Sequence, residues 1–270
     1  MSNFNHQVAL ITGASAGLGA AIAKVLASQG AHLILLARRA ERLQAIATEI
    51  DATGQTVLSI PCDVTQAEAV AQAVAQGHRK FGQIDIVIAN AGWSLKGNLE
   101  DLSVNDYRRQ WETNVFGVLH TIYATLKHLK QTQGRLVVIS SVKSYVALGG
   151  DSPYSMSKFA LRALCESLSQ ELAADGVSVS HICPGYVATE IRQIDHQGTW
   201  HPDWPDSICS KLLISADEAA QQIVQAIDRR QSEQVITYYS KLIIWLKRHL
   251  PGLVSWIIST YKIKVTSRLE

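Results

Sequence analysis

The sequence predicts an α/β fold, a single doubly wound parallel sheet of about seven strands with helices on both faces. Three observations predict it. First, short β-branched apolar runs recur at 8–12, 33–37, 57–62, 84–89, 136–140, 177–183 and 234–237. They are too apolar for strands with one face in water, and they suit a parallel sheet covered on both sides. Second, longer helical patterns fill the intervals, and strand–helix alternation of that kind builds right-handed crossovers. Third, a glycine-rich turn, Thr12-Gly-Ala-Ser-Ala-Gly-Leu-Gly19, joins the first run to the first helix.

Composition bounds the function. The chain has 270 residues, 47% hydrophobic and 18% charged. That excludes a disordered polymer and allows a large core. A formal charge of +2 gives no case for nucleic-acid binding. The charge is unevenly spread, however. Residues 239–270 carry six basic side chains (Lys241, Lys247, Arg248, Lys262, Lys264, Arg268) and one acid, Glu270. Four cysteines (Cys62, Cys165, Cys183, Cys209) form no C-x-x-C pair, so free thiols in a reducing cytosol are expected. The polar residues 1–7 do not resemble a secretory signal. No uncharged apolar stretch reaches the ~18 residues of a membrane span. The expectation is one cytoplasmic domain over 1–270, with segments 190–215 and 239–270 outside the regular pattern.

Local signals place the elements. Gly30 stands where the first helix should stop. Thr65-Gln-Ala-Glu68 and Ser215-Ala-Asp-Glu218 read as capping boxes opening helices. Long helical patterns cover 103–132 and 152–174. After the seventh run, Pro251-Gly252 should divide the tail into two short helices.

The glycine turn is where chemistry enters. Glycines at 13, 17 and 19 let the backbone turn tightly and approach a pyrophosphate. The following helix start then supplies amide donors, as in Rossmann-type dinucleotide folds. The second strand ends Leu36-Ala-Arg-Arg39. In such folds an acid at this point binds a ribose hydroxyl, whereas arginine suits a 2′-phosphate. Ala37 is not an acid, and Arg38 follows it. NADP(H) is therefore the expected cofactor, held by Arg38 and Arg39 with a hydroxyl from Ser15. Further along, Tyr154 and Lys158 are four residues apart on one helical face. A phenol near pKa ~10 is a poor proton donor at neutrality, and a nearby ammonium should lower that value.

The turn's spacing, T-G-x-x-x-G-x-G, resembles that of the classical short-chain dehydrogenase/reductase family, and further motifs match in order from Val8 to about Thr189. The resemblance implies a nicotinamide-dependent oxidoreductase acting on a carbonyl or alcohol. It assigns the cofactor to Gly13, Ser15, Gly17, Leu18 and Gly19. Asp63 should bind the adenine amino group, with Val64 packing on the ring, although Asp63 could instead only cap the next helix. Asn90-Ala91-Gly92 looks like the family's N-N-A-G motif, with Ala89 in place of its first Asn. Pro184, Gly185, Val187 and Thr189 should pass the nicotinamide. The implied catalytic set is Asn114, Ser141, Tyr154 and Lys158. Tyr154 transfers the proton, Lys158 holds the ribose and tunes Tyr154, Ser141 bonds the carbonyl oxygen, and Asn114 positions a water toward Lys158.

On the substrate side, Trp93, Tyr145, Leu148 and Tyr186 follow motif residues, where a pocket is expected. The loop at 190–215 adds Trp200 and Trp204, which either meet an apolar substrate or only pack the loop. His196 and His201 lack metal-site spacing, so no metal is expected. The leading reading is an NADP(H)-dependent reductase of an apolar ketone or aldehyde. A non-catalytic NADP(H)-binding sensor or scaffold is the alternative, opposed by the intact catalytic set. A sugar-nucleotide epimerase or dehydratase is disfavoured by the glycine spacing. The helices at 103–132 and 152–174 match those the family uses to dimerise, so a homodimer or homotetramer is expected. The tail mixes Trp245, Trp256 and other apolar residues with basic ones. It is expected to cover the pocket or join subunits. The alternative is peripheral contact with a membrane.

Overall fold

Seven runs of apolar residues become the strands of one sheet. In the computed structural model, which describes residues 4–195, 199–204, 208 and 210–260, the elements in chain order are β1 (Val8–Thr12), α1 (Gly17–Ser28), β2 (His32–Ala37), α2 (Ala40–Ile50), β3 (Val57–Pro61), α3 (Ala67–Phe81), β4 (Ile86–Ala89), α4 (Val104–Trp111), α5 (Gly117–Thr132), β5 (Arg135–Ile139), α6 (Ser152–Glu171), β6 (Ser178–Cys183), α7 (Ala216–Asp228), β7 (Glu233–Val235), α8 (Tyr238–His249) and α9 (Pro251–Thr260). The sheet order is β3-β2-β1-β4-β5-β6-β7, with every neighbouring pair parallel.

The two-residue period of a strand divides the core into two layers. From β2, Leu33 and Leu35 face a layer that includes Ile22 and Leu26 of α1 and Ile223 and Ile227 of α7. Their neighbours Ile34 and Leu36 face the other layer, with Val70 and Val74 of α3, Val118 and Ile122 of α5, and Leu161 of α6. A close approach makes the second layer dense at one point. A Cβ on Gly77 of α3 would sit 2.5 Å from Ile34 Cδ1.

Several local expectations change in the folded chain. The helical pattern at 103–132 is continuous but not uniform. α4 opens with a full capping box between Ser103 and Asp106, and a π-helical turn over Glu112–Phe116 separates it from α5. The pattern at 152–174 ends as an α-helix at Glu171, and a 3₁₀ turn follows over Ala173–Asp175. The capping box expected at Thr65 does not form. Asp63 Oδ1 accepts both the Thr65 amide and its hydroxyl at 3.0 Å, so α3 starts after Gln66 without a side-chain cap. The short Asx turn simply out-competes the longer box. At Ser215 the expected cap is present, with Oγ accepting the Glu218 amide at 3.1 Å. Gly30, at φ +89°, ends α1, and Pro251 occupies the first position of α9.

Because α7 packs beside α1 on the same face of the sheet, its buried face should carry much of the stability. Ile223 is fully buried there, whereas Val104 is 68% exposed at the start of α4. Ile223→Ala is expected to lower unfolding free energy by about 2–5 kcal/mol, and Val104→Ala to change it by no more than about 0.5 kcal/mol. Denaturant titration of the two variants against wild type measures the difference.

Candidate active site

In an open parallel sheet, ligands bind beyond the carboxyl ends of the strands, where the strand order reverses. Here that point lies between β1 and β4. A cleft of about 930 Å³ opens there, lined by the glycine turn, the ends of β2 to β5, Tyr154 and Lys158 of α6, and residues of 184–200.

The glycine turn is shaped by close approach. Gly13 and Gly17 have φ of +68° and +53°, which side-chain-bearing residues rarely adopt. A Cβ on Gly13 would lie 2.9 Å from Ala91 Cα, and one on Gly19 would lie 2.5 Å from the Gly13 oxygen. Asn90 anchors the turn, donating from Nδ2 to the Thr12 carbonyl at 2.9 Å. α1 then begins after Ala16, which offers no side-chain cap. Its first amides, with the positive end of the helix dipole, meet the cleft wall formed by Ala16, Gly17 and Leu18. A bare glycine cradle, an uncapped helix start and a cleft of this size fit the pyrophosphate of a dinucleotide.

Ala37, Arg38 and Arg39 line the cleft at the end of β2. Arg38 is exposed and makes no hydrogen bond or ion pair among the described residues. Arg39 is engaged already. Its Nε donates to Ser15 Oγ at 3.3 Å, and its Nη1 meets Glu190 at 2.9 Å. Arg42 reaches the same carboxylate at 2.8 Å and lies 4.3 Å over the Trp200 ring. Sequence reasoning brought Ser15, Arg38 and Arg39 together and named Trp200 in the adjoining loop, but it missed Glu190 and Arg42. No local pattern announces a carboxylate that arrives from 148 or 151 positions away. Asp63 and Val64 line the same end of the cleft.

Tyr154, Lys158 and Ser141 converge on the opposite end. Tyr154 is half-buried at the cleft wall, and Ser141 offers its hydroxyl to the phenol. Burial pushes the phenol up to about 12, against the downward pull of Ser141 and the Arg192 guanidinium. Lys158 is 5% exposed. Its Nζ donates to the Ile139 carbonyl at 3.0 Å and lies 5.5 Å from the centre of the Tyr154 ring. Burial lowers this lysine from 10.5 to about 8. In the cofactor-free chain, desolvation outweighs the groups that draw the phenol down.

Asn114 sits behind the cleft rather than on it. The π-helical turn aims its fully buried side chain at the 90–93 segment. There Oδ1 accepts the Trp93 amide at 3.1 Å, while Nδ2 donates to the Trp93 carbonyl at 3.0 Å and Ser157 Oγ at 3.1 Å. Asn114 thus joins the β4 exit to α6. Gln110, which sequence reasoning passed over, bridges the Leu95 amide and the Trp93 carbonyl beside it.

The expected substrate side is partly rearranged. Trp93, Pro184, Gly185, Val187 and Thr189 line the cleft, joined by Ile191, Arg192, Ile194 and Trp200. Tyr145 turns away. Its hydroxyl bonds Glu233 and its ring lies 4.1 Å from the Arg162 guanidinium. Tyr186 stacks toward Tyr239 at 6.2 Å and is not part of the lining. Tyr145 is held out by Glu233 and Arg162, and Tyr186 by the ring of Tyr239. His201 bonds Asp195 at 2.7 Å and stacks on Trp204 at 4.3 Å. His196 and Cys209 lie outside the described residues.

Known proteins resemble this architecture. A model of the short chain dehydrogenase family matches residues 7–199. The oxidoreductase UcpA of Salmonella typhimurium is 37% identical over 215 residues, covering 78% of this chain and 81% of that protein. An uncharacterized oxidoreductase of Staphylococcus epidermidis is 36% identical over 194 residues, covering 72% of this chain and 83% of its own. An alcohol dehydrogenase from the archaeon Thermococcus sibiricus, solved with 5-hydroxy-NADP, is 33% identical at a TM-score of 0.75, covering 85% of this chain and 95% of that one. A Burkholderia phymatum short chain dehydrogenase/reductase in complex with NAD shares the fold at a TM-score of 0.83 and 23% identity, covering 94% of this chain and 96% of that one.

The buried lysine has a consequence for stability. Between about 8 and 10.5, Lys158 is protonated in the unfolded chain but not in the folded one. Folding then releases a proton, so stability rises with pH across that window. Against Lys158→Met, which lacks this titration, the cofactor-free wild type should gain roughly 3 kcal/mol over the window. Denaturant unfolding of both proteins at points across it measures the effect. A stability difference that stays constant with pH would contradict the burial of the ammonium.

Proposed function

This chain is an oxidoreductase of the short-chain dehydrogenase family, and from that premise we propose that it reduces the carbonyl of an apolar-flanked ketone or aldehyde with NADPH. The observation that carries the reading is the convergence of Tyr154, Ser141 and Lys158 at one end of a cleft whose other end is a glycine cradle. When bound, the cofactor supplies the hydride. The chain supplies position and protons. Tyr154, protonated at neutral pH, gives its phenolic proton to the carbonyl oxygen as that oxygen gains negative charge. Ser141 donates a hydrogen bond to the same oxygen and steadies the charge. Lys158 holds the cofactor's ribose from the floor of the cleft. Asn114 holds the segment carrying Trp93 against α6, which keeps this end of the cleft in register.

The preference for NADPH rests on charge. No acid stands at the end of β2 to accept bonds from a ribose hydroxyl. Arg38 lies exposed on the cleft with no partner among the described residues. Its fork suits a 2′-phosphate. Arg39 serves differently, since Glu190 already shares it with Arg42. It closes the adenosine end by linking α2 and the glycine turn to the segment after Thr189. The 33% identical archaeal relative solved with an NADP derivative is consistent with this choice. Trp93, Ile191 and Ile194 support an apolar body for the substrate. Tyr123 of α5 and Met156 and Phe159 of α6, at 77%, 49% and 41% exposure, support assembly of two copies through those helices.

Two measurements test the reading. Tyr154→Phe should lower kcat for NADPH-dependent carbonyl reduction by at least about 10²–10⁴-fold, with cofactor affinity nearly unchanged. Substantial residual turnover would remove Tyr154 from proton transfer. Separately, Ala37→Asp with Arg38→Ala should weaken NADPH by about tenfold or more, the worth of a charged hydrogen bond, and improve NADH binding. Wild type that binds both cofactors equally would overturn the assignment of Arg38.

A further inference from the structure

Beyond β7 the chain makes a surface that the cleft does not use. In the two helices spanning 238–260, only Ser240 and Val254 are buried. Among the described residues, none of α8 or α9 lines the cleft. Large apolar side chains face water instead: Tyr238 at 90%, Trp256 at 60%, Leu242 at 57%, Trp245 at 53% and Leu253 at 44% exposure. Helical periodicity puts Tyr238, Leu242 and Trp245 on one stripe, with Lys241 and Arg248 along its edge. Lys241 lies 5.5 Å from the Tyr238 ring centre. Lys247 projects from the opposite side of α8 and is half-buried, and no Asp or Glu occurs anywhere in 238–260.

The charges select the occupant. A second copy docking face to face about a two-fold axis would bring the same cations together with no acid in the patch to pair them. An anionic lipid surface meets both needs, with phosphates for the cations and a shallow apolar layer for the tryptophans. Among the described residues, neither outer helix is long enough to span. α8 has 12 residues and α9 has 10, separated at Pro251, whereas a crossing helix needs about 20. We propose that α8 and α9 together dock this protein in the plane of an anionic bilayer surface.

The dock is joined directly to the cleft wall. The Tyr239 hydroxyl accepts the Tyr186 amide at 2.6 Å. A Cβ on Gly185 would lie 2.4 to 2.6 Å from the hydroxyls of Thr237, Ser240 and Tyr239. The first turn of α8 is thus pressed onto the 184–189 segment, and lipid binding would bring the cleft close to the membrane surface. The docking itself does not depend on the proposed carbonyl chemistry.

Co-sedimentation of the full chain with vesicles tests it. Wild type should pellet with phosphatidylglycerol-rich vesicles at low salt and remain largely soluble with phosphatidylcholine alone. Trp245→Glu with Trp256→Glu should lower partitioning at least about tenfold. Lys241→Glu with Arg248→Glu should abolish the preference for anionic vesicles. All four side chains are exposed on the outer helices, so circular dichroism and thermal unfolding of the variants should match wild type. Wild type that stays in the supernatant at low salt overturns the proposal, as does a tryptophan variant that binds like wild type. If light scattering shows the tryptophan variant dissociating a larger assembly while wild type ignores vesicles, the face is instead an interface between copies.

Discussion

One buried hydroxyl closes the seam on which the site depends. β1 and β4 are neighbours, but their chains leave the sheet toward opposite sides, so the amides just beyond β4 lose their ladder partners. Thr12 Oγ1, 1% exposed, accepts the amides of Asn90 and Ala91 at 3.0 Å and donates to the Ile88 carbonyl at 3.4 Å. A buried amide left without a partner costs about 1–3 kcal/mol, so this one side chain offsets two such losses. With the seam closed, Gly13 lies against Ala91 with no room for a Cβ. The glycine turn, the direction of α1 and the mouth of the cleft all follow from that contact.

The apolar layers on either side of the sheet make costly charge tolerable near the phenol. Asp151, just before α6, is buried but well provided for. It pairs with Lys143 and accepts the Ser155 hydroxyl at 2.9 Å. Lys158 has a carbonyl oxygen as its hydrogen-bond partner and no carboxylate, which is why burial lowers its proton affinity. The two groups are held by different physics. The loop ahead of α6 is stabilised by its ion pair, whereas the lysine is kept in place by the packing around it and by its distance from water. Functional sites commonly carry such local instability, at the expense of the rest of the fold.

Charge is also what differentiates the ends of the molecule. At the adenosine end, Glu190 neutralises Arg39 and Arg42 together and leaves Arg38 as the member of the group with no ion-pair partner among the described residues. Beyond β7, by contrast, the cations of α8 have no acid on either outer helix. Tyr239 connects the two regions mechanically, since its hydroxyl holds the loop that runs from Gly185 toward Glu190. A surface event on the outer helices therefore has a short covalent and hydrogen-bonded route to the cleft wall.

What the sequence alone determined was whatever short-range physics governs. The seven strands were readable because a strand covered on both faces is apolar throughout. Gly13 and Gly17 were readable because a tight turn requires positive φ. Tyr154 and Lys158 share a helical face by their four-residue spacing, but the family resemblance, with Ser141 and Asn114 in order, is what marked them out. Short-range competition was harder. At Thr65 a two-residue Asx turn from Asp63 displaced the capping box that the pattern suggested. Tertiary structure decided the rest. It turned Tyr145 out to Glu233, brought Glu190 to Arg39 and Arg42, placed Asn114 behind the cleft through a π-helical turn, and left Trp245 and Trp256 in water. Each of those outcomes depends on where crossovers deliver residues that are far apart in the chain, and no local periodicity or propensity encodes that distance.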